Sequence, residues 1–107
     1  MKEGKRMQSK QLLISDMNWK HQIEIINLSH QKLKSMKGLD QLTNLRQISL
    51  GHNLIEKIQG LDNCKLLEEL NLEKNKITVI EGLDFLIYLK KMELGKNKIS
   101  RIEGIST

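Results

Sequence analysis

Few side chains in this chain sit at a spacing that supports chemistry. His30 and His52 lie 22 residues apart, so a chain that coils with that period would stack them, to share a metal ion or to report pH. Two imidazoles without a third ligand hold a metal poorly, and no metal site is assigned. Cys64 is the single cysteine and has no disulfide partner. Asn27-Leu28-Ser29 reads as a glycosylation acceptor, which matters only in a secreted chain. No glycine cluster is built to cradle phosphate, and no nucleophile is matched to a base. The expectation is a chain that is no enzyme, with no catalytic residue and no cofactor. What remains are charges in rows, with Glu69, Glu73 and Glu93 beside Lys74, Lys91 and Lys96.

Composition narrows the class. The 107 residues make one domain, 38% apolar and 29% charged. Proline is absent and aromatics are 3%, so the core must be aliphatic, built from Leu, Ile and Met. No apolar stretch approaches the about 20 residues of a membrane-spanning helix. None follows the basic N-terminus in the manner of a secretory signal. One cysteine points to a reducing compartment, hence the cytoplasm. The net charge of +5 is uneven. Residues 1–22 carry five basic and two acidic side chains, and residues 23–107 carry thirteen and eleven. The excess sits in a tail rather than on a concentrated face, which argues against direct nucleic-acid binding.

The elements that position these residues follow from an internal repeat. From Ile23 the chain stacks in blocks of 22: IEIINLSHQKLKSMKGLDQLTN, LRQISLGHNLIEKIQGLDNCKL, LEELNLEKNKITVIEGLDFLIY and the incomplete LKKMELGKNKISRIEGIST. Apolar residues recur at block positions 1, 4, 6, 11, 14, 17 and 20, and all 27 such slots are filled, where chance would fill about ten. Position 9 holds Gln31, Asn53, Asn75 and Asn97. Position 16 holds Gly38, Gly60, Gly82 and Gly104, and Asp40, Asp62 and Asp84 follow two residues after the first three.

Positions 4 and 6 point to one side of a strand and their polar neighbours to the other. This predicts parallel strands over 25–28, 47–50, 69–72 and 91–94. The rest of each block is too short for a long helix and must return in 3₁₀ or irregular turns. The glycine permits positive φ at the bend, and the aspartate is expected to cap the next helical turn. An inward asparagine is tolerable only if its donor and acceptor satisfy the backbone of adjacent coils. Cys64, in the slot of Leu42 and Leu86, is expected in the core.

The run LxxLxLxxNxIxxIxGL resembles the leucine-rich repeat family in its 22-residue class. That is the class of the leucine-rich regulatory subunit of protein phosphatase-1, and of several axonemal, centrosomal, tubulin-cofactor and spliceosomal proteins. The resemblance covers residues 23–107; Gln31 in the first asparagine slot departs from it. It implies an α/β solenoid, a right-handed coil with a short parallel sheet on the concave side and 3₁₀ or irregular turns on the convex side. Residues 1–22 are then a basic tail, with residues 12–22, including Trp19, as a candidate N-terminal cap. The chain ends in mid-repeat, which reads as a fragment of a longer protein.

On this fold the concave face carries positions 2, 3, 5, 7 and 8. Position 2 is Glu24, Arg46, Glu68 and Lys90, whose alternating charges are expected to pair with one another. Position 7 is Ser29, Gly51, Glu73 and Gly95, expected to leave room for a partner beside the glycines. The candidate protein-binding residues are Ile25, Gln47, Ser49, Glu69, Asn71, Glu73, Lys91 and Glu93, with Ile25 as an apolar anchor. The expected function is a protein–protein interaction module without chemistry. The alternatives are a spacer in a ciliary or centrosomal scaffold and the recognition arm of a multidomain enzyme. The resemblance implies a phosphatase, tubulin or dynein, or ribonucleoprotein component as partner, and the cytoplasm, cilium, centrosome or nucleus as location. A monomer without membrane contact is expected.

Overall fold

The computed structural model describes residues 20–103. The candidate cap at Trp19, most of the basic tail, and Gly104 lie outside the described residues. Four strands, β1 (Ile25–Asn27), β2 (Gln47–Ser49), β3 (Glu69–Asn71) and β5 (Lys91–Glu93), form one sheet in the order β1-β2-β3-β5, all parallel. Their register is one repeat: Ile26 pairs with Ile48, Ile48 with Leu70, and Leu70 with Met92. Each strand is one residue shorter than expected, although the backbone bonding continues where Leu28 donates its amide to Ser49 at 2.8 Å.

The apolar slots fill the interior of the coil. Leu45, Leu50, Ile55, Ile58, Leu61, Leu67, Leu70, Leu72 and Ile77 are all fully buried. Their counterparts Ile23, Ile26, Leu28 and Leu33 in the first coil are half-buried, as are Leu89, Met92, Leu94 and Ile99 in the fourth. A coil with neighbours on both sides buries what one beside a single described neighbour cannot. Cys64 is in the core as expected, its thiol directed at the Leu39 carbonyl at 3.3 Å. Burial, with Asp40 and Asp62 nearby, pushes that thiol up to about 11, so it is inert at neutral pH.

In the asparagine column Asn53 and Asn75 are buried and Asn97 is half-buried, and all three bond to backbone. Asn53 Oδ1 accepts the amides of Gln31 and Leu33 at 2.9 and 3.0 Å. Its Nδ2 donates to the carbonyls of Leu28 and Leu50 at 3.0 and 2.9 Å. Asn75 and Asn97 repeat the two donations one coil later each, and their Oδ1 atoms accept one amide apiece, from Ile55 and Ile77. Gln31 is exposed and, among the described residues, its side chain bonds within its own coil, donating to the Ser29 carbonyl at 3.2 Å.

Two expectations for the return segments are corrected. Asp40 does not cap. The 3₁₀ turn Leu39–Gln41 starts from Gly38 with no side-chain cap, and Asp40 sits inside the first turn. The later returns are also not all irregular. β4 (Val79–Ile80) and β6 (Arg101–Ile102) form a second parallel pair, flanked by the Ser100 amide bonding to the Thr78 carbonyl at 2.8 Å. The β-branched run Thr78-Val79-Ile80 favours extended backbone, where the earlier returns carry Lys34-Ser35-Met36 and Glu56-Lys57-Ile58.

Candidate functional site

The outward side chains of the four-stranded sheet form two rows fixed by the register. One runs Ile25, Gln47, Glu69, Lys91 and the other Asn27, Ser49, Asn71, Glu93. Neighbours within a row are about 4.8 Å apart, the spacing of parallel strands. They line an open groove of about 270 Å³. Seven of the eight candidate residues, Ile25, Gln47, Ser49, Glu69, Asn71, Lys91 and Glu93, are brought together there.

Glu73 sits at the rim, in the turn that leaves β3. Its amide is held at 2.9 Å by Asn71 Oδ1, and Asn27 Oδ1 holds the Ser29 amide in the same way at 3.0 Å. The room expected beside Gly51 is not there. Gly51 is buried, and a Cβ placed on it would meet the Glu73 carbonyl oxygen at 3.4 Å and Glu73 Cγ at 3.5 Å. The neighbouring coil therefore fills the space that the small residue leaves. Beside Gly95 nothing lies within 4 Å of such an atom.

The charges divide into a self-paired ladder and an open set. Arg46 lies between Glu24 at 3.9 Å and Glu68 at 3.0 Å, and Lys90 reaches Glu68 at 3.2 Å. Hydrogen bonds from Lys90 and then Arg46 hold the Glu68 carboxyl below its ordinary value. This ladder is internally satisfied, as expected for alternating charges on adjacent strands. The groove differs. Among the described residues Glu69 and Glu73 have no ion-pair partner, and Glu93 has only Lys91 of its own strand at 4.0 Å. Asn27 and Asn71 use their carbonyl oxygens locally, and their amide NH₂ groups have no partner among the described residues. Ile25 is 67% exposed at one end of the groove.

The column at block position 8, which the repeat places on this face, borders it with a backbone conformation that the sequence did not reveal. His30, His52, Lys74 and Lys96 all adopt left-handed backbone, with φ of 57–59°. No glycine or asparagine marks the position, so local propensity carried no signal for it. The shared conformation aligns the side chains and stacks the His30 and His52 rings at 4.2 Å and 21°. Burial, then His30, then Lys74 hold the His52 imidazole below its ordinary value, with Glu73 opposing.

Among the described residues no helix is long and apolar enough to cross a membrane. Residues 21–63 match a family model described as Leucine Rich repeats (2 copies). No curated protein matches the chain. The matched segment takes in the first coil and most of the second, and the third and fourth repeat their register and asparagine bonding. Together with a parallel sheet almost free of helix, the match supports a leucine-rich repeat protein, a kind whose repeats are generally protein–protein interaction modules and typically not enzymes.

Proposed function

We propose that this chain is a non-enzymatic binding module that takes a protein partner across the open face of its four-stranded sheet. Ile25, Gln47, Ser49, Glu69, Asn71, Glu73, Lys91 and Glu93 are the contact residues. The observation that carries this reading is the contrast between two sets of charges on one face. Glu24, Arg46, Glu68 and Lys90 satisfy one another, whereas Glu69 and Glu73 have no ion-pair partner among the described residues. The groove residues stand on hydrogen-bonded strands, so binding orders little and the array presents groups at fixed spacing. A partner segment with a basic side chain for the glutamates, an acidic one for Lys91 and an apolar one for Ile25 fits the face. The solenoid is taken as right-handed, the hand of crossovers between parallel strands. The family resemblance points to a phosphatase, tubulin or dynein, or ribonucleoprotein component as partner, in the cytoplasm, cilium, centrosome or nucleus.

The test is affinity capture from cytosolic and ciliary extracts, followed by titration of the recovered protein against three chains. These are the wild type, the double reversal Glu69→Lys/Glu73→Lys, and Glu81→Lys on the opposite side of the coil. The expected result is loss of affinity in the double reversal alone, with an unchanged urea midpoint. Equal capture by the wild type and the double reversal, with loss in Glu81→Lys, places the binding surface on the other side.

A further inference from the structure

The edge of the coil where each strand ends carries cations in columns. Position 8 of the block holds His30, His52, Lys74 and Lys96, and position 10 holds Lys32, Leu54, Lys76 and Lys98. Bonds between coils set both columns. At position 8 the amides of His30, His52 and Lys74 donate to the carbonyls of Gly51, Glu73 and Gly95 in the next coil, at 3.2, 2.9 and 2.8 Å. At position 10 the amides of Leu54, Lys76 and Lys98 donate to the carbonyls of Leu33, Ile55 and Ile77 in the coil before, at 2.7, 2.8 and 2.9 Å. Asn53, Asn75 and Asn97 turn inward between the two positions, and the lysines on either side are exposed. Lys74 and Lys76 have a described coil on each side and are exposed all the same, so this is not the exposure of an open end.

Two costs are accepted at this edge that the same chain avoids elsewhere. Equivalent residues of adjacent coils are about 4.8 Å apart, and like charges set opposite one another at that spacing repel. At position 2 the chain alternates sign, and Arg46 and Lys90 pair with Glu68. At positions 8 and 10 it sets Lys74 beside Lys96 and Lys76 beside Lys98. None of these four has an ion-pair partner among the described residues. The second cost is conformational. All four residues at position 8 have φ of 57–59°, which strains a residue bearing a Cβ and leaves glycine unstrained. Where the chain turns through positive φ at position 16 it uses glycine, at Gly38, Gly60 and Gly82. At position 8 it keeps an imidazole or an ammonium group in every coil. Strain held together with unpaired like charge points to a ligand of the opposite charge.

We propose that this edge docks an acidic segment of a protein, laid across the coils along the column from His30 to Lys96 with the position-10 lysines beside it. The column spans three intervals of about 4.8 Å, roughly 14 Å, which four or five residues of extended chain cover at about 3.3 Å each. A short run of Asp or Glu fits that length. A nucleic acid does not match the edge. Phe, Tyr and Trp are absent from both columns, so bases find no stacking platform beyond two imidazoles already stacked on each other. Glu69 and Glu93 stand on the sheet side, where a continuing phosphate backbone would meet them. The imidazole end makes the docking respond to acid. His52 faces His30, Lys74, Glu73 and Lys96, and burial, then His30, then Lys74 lower its proton affinity against the opposing Glu73. A bound carboxylate favours the protonated ring, so docking tightens as the pH falls below the ordinary imidazole value of 6.5. None of the eight groove residues belongs to either column, so the edge stands apart from the groove.

The experiment titrates the whole chain with end-blocked hexaglutamate, and separately with a thymidine hexanucleotide, and follows the amide NMR signals. About 0.1 M salt gives a Debye length of about 10 Å, which screens charges far from the edge. The wild type is expected to bind the peptide more tightly than the oligonucleotide, with the largest shifts at positions 8 and 10. Its affinity should rise about threefold or more from about pH 7.5 to about pH 5.5. Asparagine tolerates left-handed backbone, so Lys74→Asn/Lys96→Asn removes two charges without disturbing the turn. It should weaken peptide binding by roughly fivefold. Lys37→Asn/Lys65→Asn removes the same charge at exposed positions outside both columns and should change binding by less than about twofold. His30→Asn/His52→Asn should bind as the wild type does at about pH 7.5 and lose the tightening in acid. Absence of peptide binding overturns the proposal, as do shifts confined to the groove. Equal weakening by the two lysine pairs also overturns it, and means attraction by bulk charge alone. Tighter binding of the oligonucleotide overturns it in favour of a nucleic acid, and acid tightening that survives in the histidine variant removes the imidazoles from it.

Discussion

Asn75 Oδ1 accepts the backbone amide of Ile55 at 3.0 Å, across the boundary between the second and third coils. The same side chain donates to the Leu50 and Leu72 carbonyls at 2.9 and 3.0 Å, one on each side of that boundary. Asn75 is buried, so water cannot replace these bonds freely. Asn75→Ala is expected to destabilise the chain by about 1–3 kcal/mol, the cost of leaving buried backbone groups unpaired. A urea titration measures it against Lys76→Ala, an exposed neighbour. Equal midpoints for the two variants would mean that the column contributes nothing to the stack.

Gly82 combines two constraints. Its φ is +72°, and a Cβ placed on it would stand 3.2 Å from the Ile58 carbonyl oxygen of the coil before. Gly38 has φ of +94° and nothing within 4 Å of the same point. Gly38→Ala should cost about 1 kcal/mol, from backbone strain alone. Gly82→Ala adds a clash with main chain and should cost about 1 kcal/mol more. Equal losses in thermal or chemical denaturation would show that the coils separate at this point without penalty.

Burial differs between the third and fourth coils in a way that hydrogen exchange can read. Leu72 and Ile77 are fully buried, whereas their counterparts Leu94 and Ile99 are half-buried. The amides of Leu72 and Lys76 are expected to exchange more slowly than those of Lys98 and Ser100, because local opening of the fourth coil exposes less apolar surface. Equal protection in dilute solution would mean that something outside residues 20–103 covers the fourth coil.

The stacked histidines give the chain a pH dependence of defined sign. His52 has its proton affinity lowered in the folded chain, by burial first and then by His30 and Lys74. The unfolded chain therefore binds that proton more readily, and acid favours unfolding. Stability should be full above the ordinary imidazole value of 6.5 and fall as the pH drops through it. The groups that face His52 are His30, Lys74, Glu73 and Lys96. Urea midpoints from about pH 8 to about pH 5.5 should fall in the wild type and stay flatter in His52→Gln. The Glu68 carboxyl, held low by Lys90 and Arg46, loses its contribution only at more acid pH, below its ordinary 4.5. Parallel curves for the two chains would remove His52 as the source.

The sequence by itself determined the repeat and what a repeat forces. A period of 22 with every apolar slot filled leaves one way to bury Ile48, Leu70 and their equivalents, which is to stack coil on coil in register. From that followed the parallel pairing, the place of Asn53 and Asn75, the core position of Cys64 and the paired ladder through Arg46. The rows of candidate residues were legible for the same reason, since alternation along a strand fixes which side chains face out. The tertiary structure decided what depends on neighbours rather than on pattern. Gly51 looked like open space, yet Glu73 of the next coil fills it. The aspartates looked like caps, yet Gly38 holds the cap position and Asp40 falls inside the turn. The left-handed residues from His30 to Lys96 carry no local signal, because a bend imposed by the closing of each coil overrides propensity there. The exposure of Phe85, Ile87 and Tyr88 also needed the fold. In the sequence they merge with Leu86 and Leu89 into one apolar run, and only the turn sends Leu86 inward and its neighbours out.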